Sequence, residues 1–426
     1  MATRKPGRDG DVGRMPSVER PSQRSIGARG RGNGRNGHGS VLSPSRIGDV
    51  NRSRVLQALC DNGPLSRAEL ARMAGVPRAT IGGIVRPLLE SSLLEEGAPD
   101  RSVTKVGKPG RPLWFRSGAG LSAAVALHRD ACEAALISAR GEILEHTSVP
   151  MSDPADLRAV HRDINAALSG VLSGQPQLLG AGVAVPGACD TARGHIVGSS
   201  QIPSLTGHSL AGVLERRLES RVLIDNDSRA QALGEKWFGE GRGVGTFASI
   251  QTGHGLGVGL VLSGLVFRGD DGLTGEIGHT CIDPAGARCS CGLRGCWETI
   301  ATLQWLRKEA RRLKLPGAAS LDAASLATLA ADGSREARDL LDRYADNLAV
   351  GLANLVNLIN PQRMILHGDA ARGGPQFHER IVNKTRARVL ENLRPSLDLV
   401  PSPLDQRATL LGAAGLVLSE TFNLAT

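Results

Sequence analysis

Three cysteines fall within eight positions of the stretch GARCSCGLRGCWE, at Cys289, Cys291 and Cys296. The other four of the chain's seven cysteines, Cys60, Cys132, Cys189 and Cys281, are scattered. A cluster this dense must be folded around a disulfide, a metal ion or a shared core. The N-terminus is basic, but no apolar segment follows it as a signal peptide requires, so we expect a cytoplasmic protein with reduced thiols. Cys289-x-Cys291 also lacks the C-x-x-C spacing of redox pairs. Zinc fits the pattern better. Two thiolates two positions apart can share one tight loop, and Gly292 and Gly295 let the backbone fold back to bring in Cys296. For the fourth ligand we prefer His279, in GEIGH, over Cys281, whose neighbours Thr280 and Ile282 look like strand. His279, Cys289, Cys291 and Cys296 then make a closed Cys3His set for structural Zn2+. Cys60, Cys132 and Cys189 read as small buried hydrophobes.

Charge divides the rest of the chain. Of the net +9, residues 1–46 carry ten Lys or Arg against three Asp or Glu, and residues 47–116 carry eleven against seven. A basic front on a near-neutral body points to a polyanionic partner. Residues 1–45, rich in Gly, Arg, Ser and Pro, hold no apolar periodicity and read as a disordered tail. No apolar run reaches the roughly 18 residues that span a bilayer.

Residues 46–116 form the second segment. Val50, Val55, Leu56 and Leu59 share a helical face that stops at Gly63-Pro64. Ser66 and Glu69 then have capping-box spacing, with Leu70 and Met73 as the apolar side of a short helix ended by Gly75. Ile81, Ile84, Val85, Leu88 and Leu89 recur at helical spacing in a further helix. Two short helices joined through a tight turn have the outline of a helix-turn-helix. Leu93–Glu95 and Leu113–Phe115 suit the two strands of a wing, with GKPGRP between them as its tip. We therefore expect DNA contacts from Arg78, Thr80 and Arg86 in the major groove, and from Lys108 and Arg111 at the wing. Gly82, Gly83 and Pro87 are unusual in a reading helix, and Pro87 is expected to kink or weaken it.

Residues 117–426 alternate strand-like runs (AAVALH, AALISA, GAGVAVP, RVLID, TFASIQTG, GVGLVLSG, MILHG) with amphipathic helices, which indicates an α/β body. Its longest helix carries Leu341, Ala345, Leu348, Leu352, Leu355 and Ile359 on one side and stops before Pro361.

The run LTGEIGHTCIDPAGARCSCGLRGCWE resembles the zinc-bearing signature of the ROK family, named for its repressors, open reading frames and kinases. GVAVPG, IDNDSRAQALGE and QTGHGLGVGLVLSGLVFRGDDGLTGEIGH follow the family's order. The resemblance implies an actin/hexokinase-like two-lobed body with a sugar in its cleft and the zinc loop at 279–296. A winged helix-turn-helix ahead of that body resembles the repressor branch. On this resemblance Asn226 and Asp227 match the pair that grips the sugar, with Asp227 the base in a kinase. Glu276, His279 and Glu298 match further sugar-binding positions.

Kinases of the family resemble one another in a D-x-G-G-T loop between the first two body strands. Here Ala126-Leu127-His128-Arg129-Asp130 stands in its place. Gln251 also occupies a usual glycine position of QTGHGLG, and His367-Gly368 stands for a Gly-Gly pair. Side chains there obstruct the close backbone approach a phosphate needs. We therefore expect no enzyme activity, but a sugar-responsive transcriptional regulator of the repressor type that binds operator DNA and a sugar or sugar phosphate as a homodimer or homotetramer. The alternatives are an ATP-dependent hexose or hexosamine kinase with an accessory DNA-binding domain, and a constitutive DNA-binding protein with a vestigial sugar site.

Overall fold

The computed structural model describes residues 51–421, apart from residues 53, 57, 60–61, 100–109, 117–119, 175–176, 270–271 and 273. The basic segment 1–45, Cys60 and Lys108 therefore lie outside the described residues.

The N-terminal elements are helix α1, over residues 51–62 where described, then β1 (Leu65–Ser66), α2 (Arg67–Ala74), α3 (Arg78–Glu90), β2 (Leu94–Glu96) and β3 (Pro112–Phe115). Local chemistry sets their ends. The Ser66 hydroxyl accepts the Glu69 amide while the Glu69 carboxylate accepts the Ser66 amide, so both members of the capping box are in place. Gly75 closes α2 in the left-handed region, at φ 64°. Helix α3 is not broken at Pro87 but continues to Glu90. Gly83, whose carbonyl loses its helical partner to that proline, is exposed, so water can take over the bond.

The three strands form an antiparallel sheet in the order β1-β3-β2, with Leu94 opposite Phe115 and Glu96 opposite Leu113. Val55, Leu56, Leu70, Ile81, Val85, Leu88, Leu94 and Leu113 pack into its core. Met73, expected beside Leu70, is instead 44% exposed. The outer face of α3 carries Arg78, Ala79, Gly82, Gly83 and Arg86. Nothing lies within 4 Å of where a Cβ on Gly82 or Gly83 would sit.

The body is built twice on one plan. Its first half contains β4 (Leu121–Leu127), β5 (Ala131–Ile137), β6 (Ile143–Pro150), α4 (Leu157–Val171), β7 (Leu178–Val185), the hairpin β8 (Ala188–Asp190) and β9 (His195–Gly198), α5 (Leu210–Leu218) and β10 (Val222–Asn226). Helix α6 (Asp227–Phe238) leads to β11 (Phe247–Thr252), β12 (Gly257–Leu262) and β13 (Leu265–Val266). Helices α7 (Leu303–Arg312), α8 (Ala323–Ala331) and α9 (Arg335–Ile359) follow. The chain ends with β14 (Arg363–Gly368), α10 (Asp369–Arg372), α11 (Pro375–Arg388), β15 (Leu399–Pro401) and α12 (Arg407–Thr421).

The two sheets run β10-β7-β4-β5-β6 and β13-β12-β11-β14-β15. In each, three strands meander antiparallel, and two more join in parallel beside the first of them. This is the two-lobed actin/hexokinase-like body that the sequence led us to expect. Asn360, at φ 48°, closes α9 by donating its amide to the Val356 carbonyl, one residue ahead of Pro361.

Helices α6 and α12 cross with their backbones in contact. A Cβ on Gly234 would overlap the Ala408 carbonyl, one on Gly412 the Ala230 carbonyl, and one on Gly182 of β7 the Ala413 carbonyl. The two kinds of helical glycine predict opposite signs. Gly412→Ala overpacks this crossing and should lower body stability by about 3 kcal/mol. Gly82→Ala, which meets nothing, should raise the stability of the N-terminal elements by about 1 kcal/mol. Urea unfolding of the two variants checks both.

Candidate functional site

The cysteine loop is a short irregular hairpin. Isolated bridges pair Cys281 with Cys296 and Arg288 with Arg294. Gly292 and Gly295 turn it at φ 91° and 68°, a region other residues seldom adopt. His279 closes a single 3-10 turn (Ile277–His279), and Cys296 precedes another (Trp297–Thr299). Cys296 is fully buried beside Trp297, whose indole N–H donates to the Asn347 carbonyl at 2.7 Å. The loop is thereby rooted in the second lobe.

One donor atom from each of His279, Cys289, Cys291 and Cys296 lies within 4.8 Å of all the others. His279 Nδ1 is 3.5 Å from Cys289 Sγ, and the sulfurs of Cys291 and Cys296 are 3.6 Å apart. A tetrahedral ion bonded at about 2.3 Å to sulfur and about 2.0 Å to nitrogen needs edges of about 3.5–3.8 Å. The two edges above match, and the remaining pairs lie within 4.8 Å, so small side-chain shifts let the four donors take such an ion. Among the described residues this is the one such group, and the rival Cys281 is exposed and outside it. Cys132 and Cys189 are buried, and desolvation pushes each thiol up to about 12.

Beside the loop lie the carboxylates. Glu298 Oε2 is 3.4 Å from His279 Nδ1, and Glu276 Oε2 is 3.9 Å from Nε2 on the other side of the ring. The glycine loop after β11 packs against this group, since a Cβ on Gly255 would lie 3.0 Å from Glu298 Oε1. Asn226 ends β10 and Asp227 opens α6. The Asn226 side-chain Oδ1 accepts the Ser228 and Arg229 amides, and its Nδ2 donates to the Gly187 carbonyl. Asn226 thus fixes the start of the helix that presents Asp227, and one N–H is left over for a ligand.

Burial pushes the Asp227 pKa up; the Ser228 amide and the nearby His128 oppose this, and Glu276 adds to it by repulsion. Asp227 and Glu276 thus feel one another's charge. Carboxylates and an amide grouped around a cleft can accept and donate to the paired hydroxyls of a sugar.

Two features escaped the sequence reading. His128 acts electrostatically on Asp227 from the turn between β4 and β5. Beneath the site, Asp225 accepts from Arg229 Nε at 2.6 Å and from Arg268 Nη2 at 2.9 Å, while Arg229 Nη1 donates to the Gly272 carbonyl at 2.7 Å. This buried ion pair ties the segment carrying Glu276 and His279 to the head of α6. The Asp225/Arg229 spacing was readable in the sequence, but nothing there links them to Arg268.

In the sheet of the second lobe, Gln251 and His367 are cross-strand partners on β11 and β14. Both side chains are engaged with α6. Gln231 donates to Gln251 Oε1 at 2.7 Å, and His367 Nε2 lies 3.0 Å from Ser249 Oγ and 3.4 Å from Glu235 Oε1. Burial lowers the His367 pKa to about 4 and raises that of Glu235, driving both toward their neutral forms. In the N-terminal elements, Arg78, Arg86 and Arg111 are exposed and Thr80 is half-buried, with Arg111 4.0 Å from Glu96.

The family model described as "ROK family" matches residues 122–420. A xylose repressor from Bacillus subtilis (strain 168) is 28% identical over 394 residues, covering 91% of this chain and 99% of the relative. A glucokinase from Thermotoga maritima is 34% identical over 251 residues, covering 55% of this chain and 78% of the relative. Among solved structures, a ROK family transcriptional regulator described as a homolog of the E. coli MLC protein superposes with a TM-score of 0.73. It is 27% identical, and the match covers 88% of this chain and 99% of that one.

Proposed function

This chain belongs to the ROK family, and on that premise we propose that it is a sugar-responsive transcriptional repressor. Its N-terminal elements are a winged helix-turn-helix that binds operator DNA, with α3 in the major groove and the β2–β3 wing against the backbone or minor groove. Its body senses a sugar or sugar phosphate in the cleft between the lobes. The observation that carries this reading is the length of the likeness. The repressor and regulator relatives are matched from end to end, N-terminal elements included, whereas the glucokinase match covers only 55% of this chain.

In this reading Asn226, Asp227, Glu276, His279 and Glu298 hold the sugar. Arg78 and Arg86 stand at either end of the exposed face of α3, with Ala79, Gly82 and Gly83 between them. That face can therefore lie close to the bases. Arg111, and Lys108 beyond the described residues, serve the wing. A palindromic operator and a homodimer or homotetramer follow from the two-fold symmetry such readers use. Gln251 and His367, engaged with α6 where the family's kinases carry glycine, argue against phosphoryl transfer, which depends on electrostatic stabilisation of the phosphates.

One observation favours the kinase alternative: Asp227 is in place at the head of α6. The test is binding of the purified protein to DNA from upstream of its own gene, at fixed salt, with a panel of pentoses, hexoses, amino sugars and their phosphates. We expect specific binding that one ligand changes by about five- to hundredfold. Asp227→Asn should abolish that response, and Arg78→Ala should weaken binding by about tenfold. ATP turnover lost in Asp227→Asn, with no specific DNA binding, would instead identify a kinase.

The Cys3His donors hold one structural Zn2+ per chain, which fixes the His279 ring and the loop that bears Glu298. The purified protein should release one equivalent of zinc on thiol modification. Cys291→Ser should lose the metal and the sugar response together; a variant that lost zinc and kept a normal response would break that link.

A further inference from the structure

A cavity of about 350 Å³ opens where the turn between β5 and β6, the end of α6 and the start of α12 meet. None of its lining residues belongs to the sugar or metal group. Three arginines, Arg140, Arg242 and Arg407, are among its lining residues, with Glu142 as the one carboxylate. Phe238, Leu404 and Leu411 supply an apolar floor. Arg140 and Glu142 lie 3.8 Å apart and are both 41% exposed, so their attraction is weak; the lining counts three cationic side chains against one carboxylate. Exposed arginines are common on this chain. What distinguishes these three is that they ring a concavity of small-ligand size with an apolar base. The planar guanidinium fork matches the oxygens of a phosphate better than a point charge does.

We propose that this cavity is a second effector site that takes a small organic phosphate. The phosphate group sits among Arg140, Arg242 and Arg407, and the organic part rests on Phe238, Leu404 and Leu411. Placement gives the site a regulatory consequence. Asp227 is the first residue of α6 and Phe238 the last, so one helix of about 18 Å joins the sugar cleft to the cavity floor. Gly141, held at φ 80°, packs flat on the Phe238 ring. Arg242, which lines the cavity, also borders the N-terminal elements: its Nη2 lies 3.5 Å from where a Cβ on Gly63 would sit, in the turn between α1 and β1. A phosphate that draws on Arg242 acts at the contact between the body and the N-terminal elements.

DNA backbone phosphates offer the same charge chemistry, so the test separates the two sources. Calorimetric titration of the full chain, without DNA, uses inorganic phosphate and phenyl phosphate against chloride of matched ionic strength. We expect saturable binding at one site per chain, tighter for phenyl phosphate because of the apolar floor. Arg140→Gln and Arg407→Gln should each weaken it about tenfold. Arg335→Gln, an exposed arginine far along the chain on α9, should leave it unchanged. Both cavity arginines are exposed, so thermal unfolding of these variants without phosphate should match the parent. Absence of saturable binding, or equal binding in the Arg140→Gln/Arg407→Gln double variant, overturns the proposal. So does a double variant that alters only operator affinity and its salt dependence, which would assign these arginines to the DNA backbone.

Discussion

Where α6 crosses α12, Gly234 and Gly412 let two helix backbones meet with no side chain between them, and the functional parts of the body hang from that contact. The head of α6 presents Asn226 and Asp227. Its first turns hold the segment bearing Glu276 and His279, through the Asp225–Arg229–Arg268 pairs. Its middle engages β11 and β14 through Gln231 and Glu235. Its end reaches Phe238, next to the contact between Arg242 and the Gly63 turn. A close-packed crossing of this kind moves as a unit or not at all. A ligand that shifts the head of α6 therefore shifts its other end, and with it the surface against which the N-terminal elements rest.

The Cys3His loop, proposed above to hold zinc, bears on the same group of residues. Cys296 is buried while Cys291 is exposed, so the donors join the core of the second lobe to a surface hairpin. With an ion among them, the His279 ring cannot rotate, and the carboxylates on its two sides are held at fixed separation. If these groups hold a sugar as proposed, the entropy of arranging them is then spent on folding, not on binding.

Much of this was legible in the sequence because it depends on short-range patterns. The capping box at Ser66 and Glu69, the left-handed Gly75 and the seven strand-like runs are local, and each has a structural counterpart. The cysteine spacing likewise pointed to a donor set that the structure brings together. What escaped notice depends on distant partners or on absent patterns. Strand β1 is two residues long and shows no alternation. β6 exposes most of its side chains. Helix α12 is buried on nearly every side, so no apolar stripe marks it. Arg268 and His128 take their places through tertiary contacts that no local spacing encodes. Pro87 does not end α3, and the Gly83 carbonyl that it deprives of a helical partner is exposed to water.

If the sugar cleft and the DNA-reading face are coupled, linkage requires the coupling to be reciprocal. The most direct test is to measure the affinity of the responsive sugar for the free protein and for the protein saturated with operator DNA. The account predicts that DNA changes the sugar affinity by the same factor by which the sugar changes DNA affinity. Equal sugar affinity in the two states would mean that the cleft and α3 are independent, and the molecule would not be a switch.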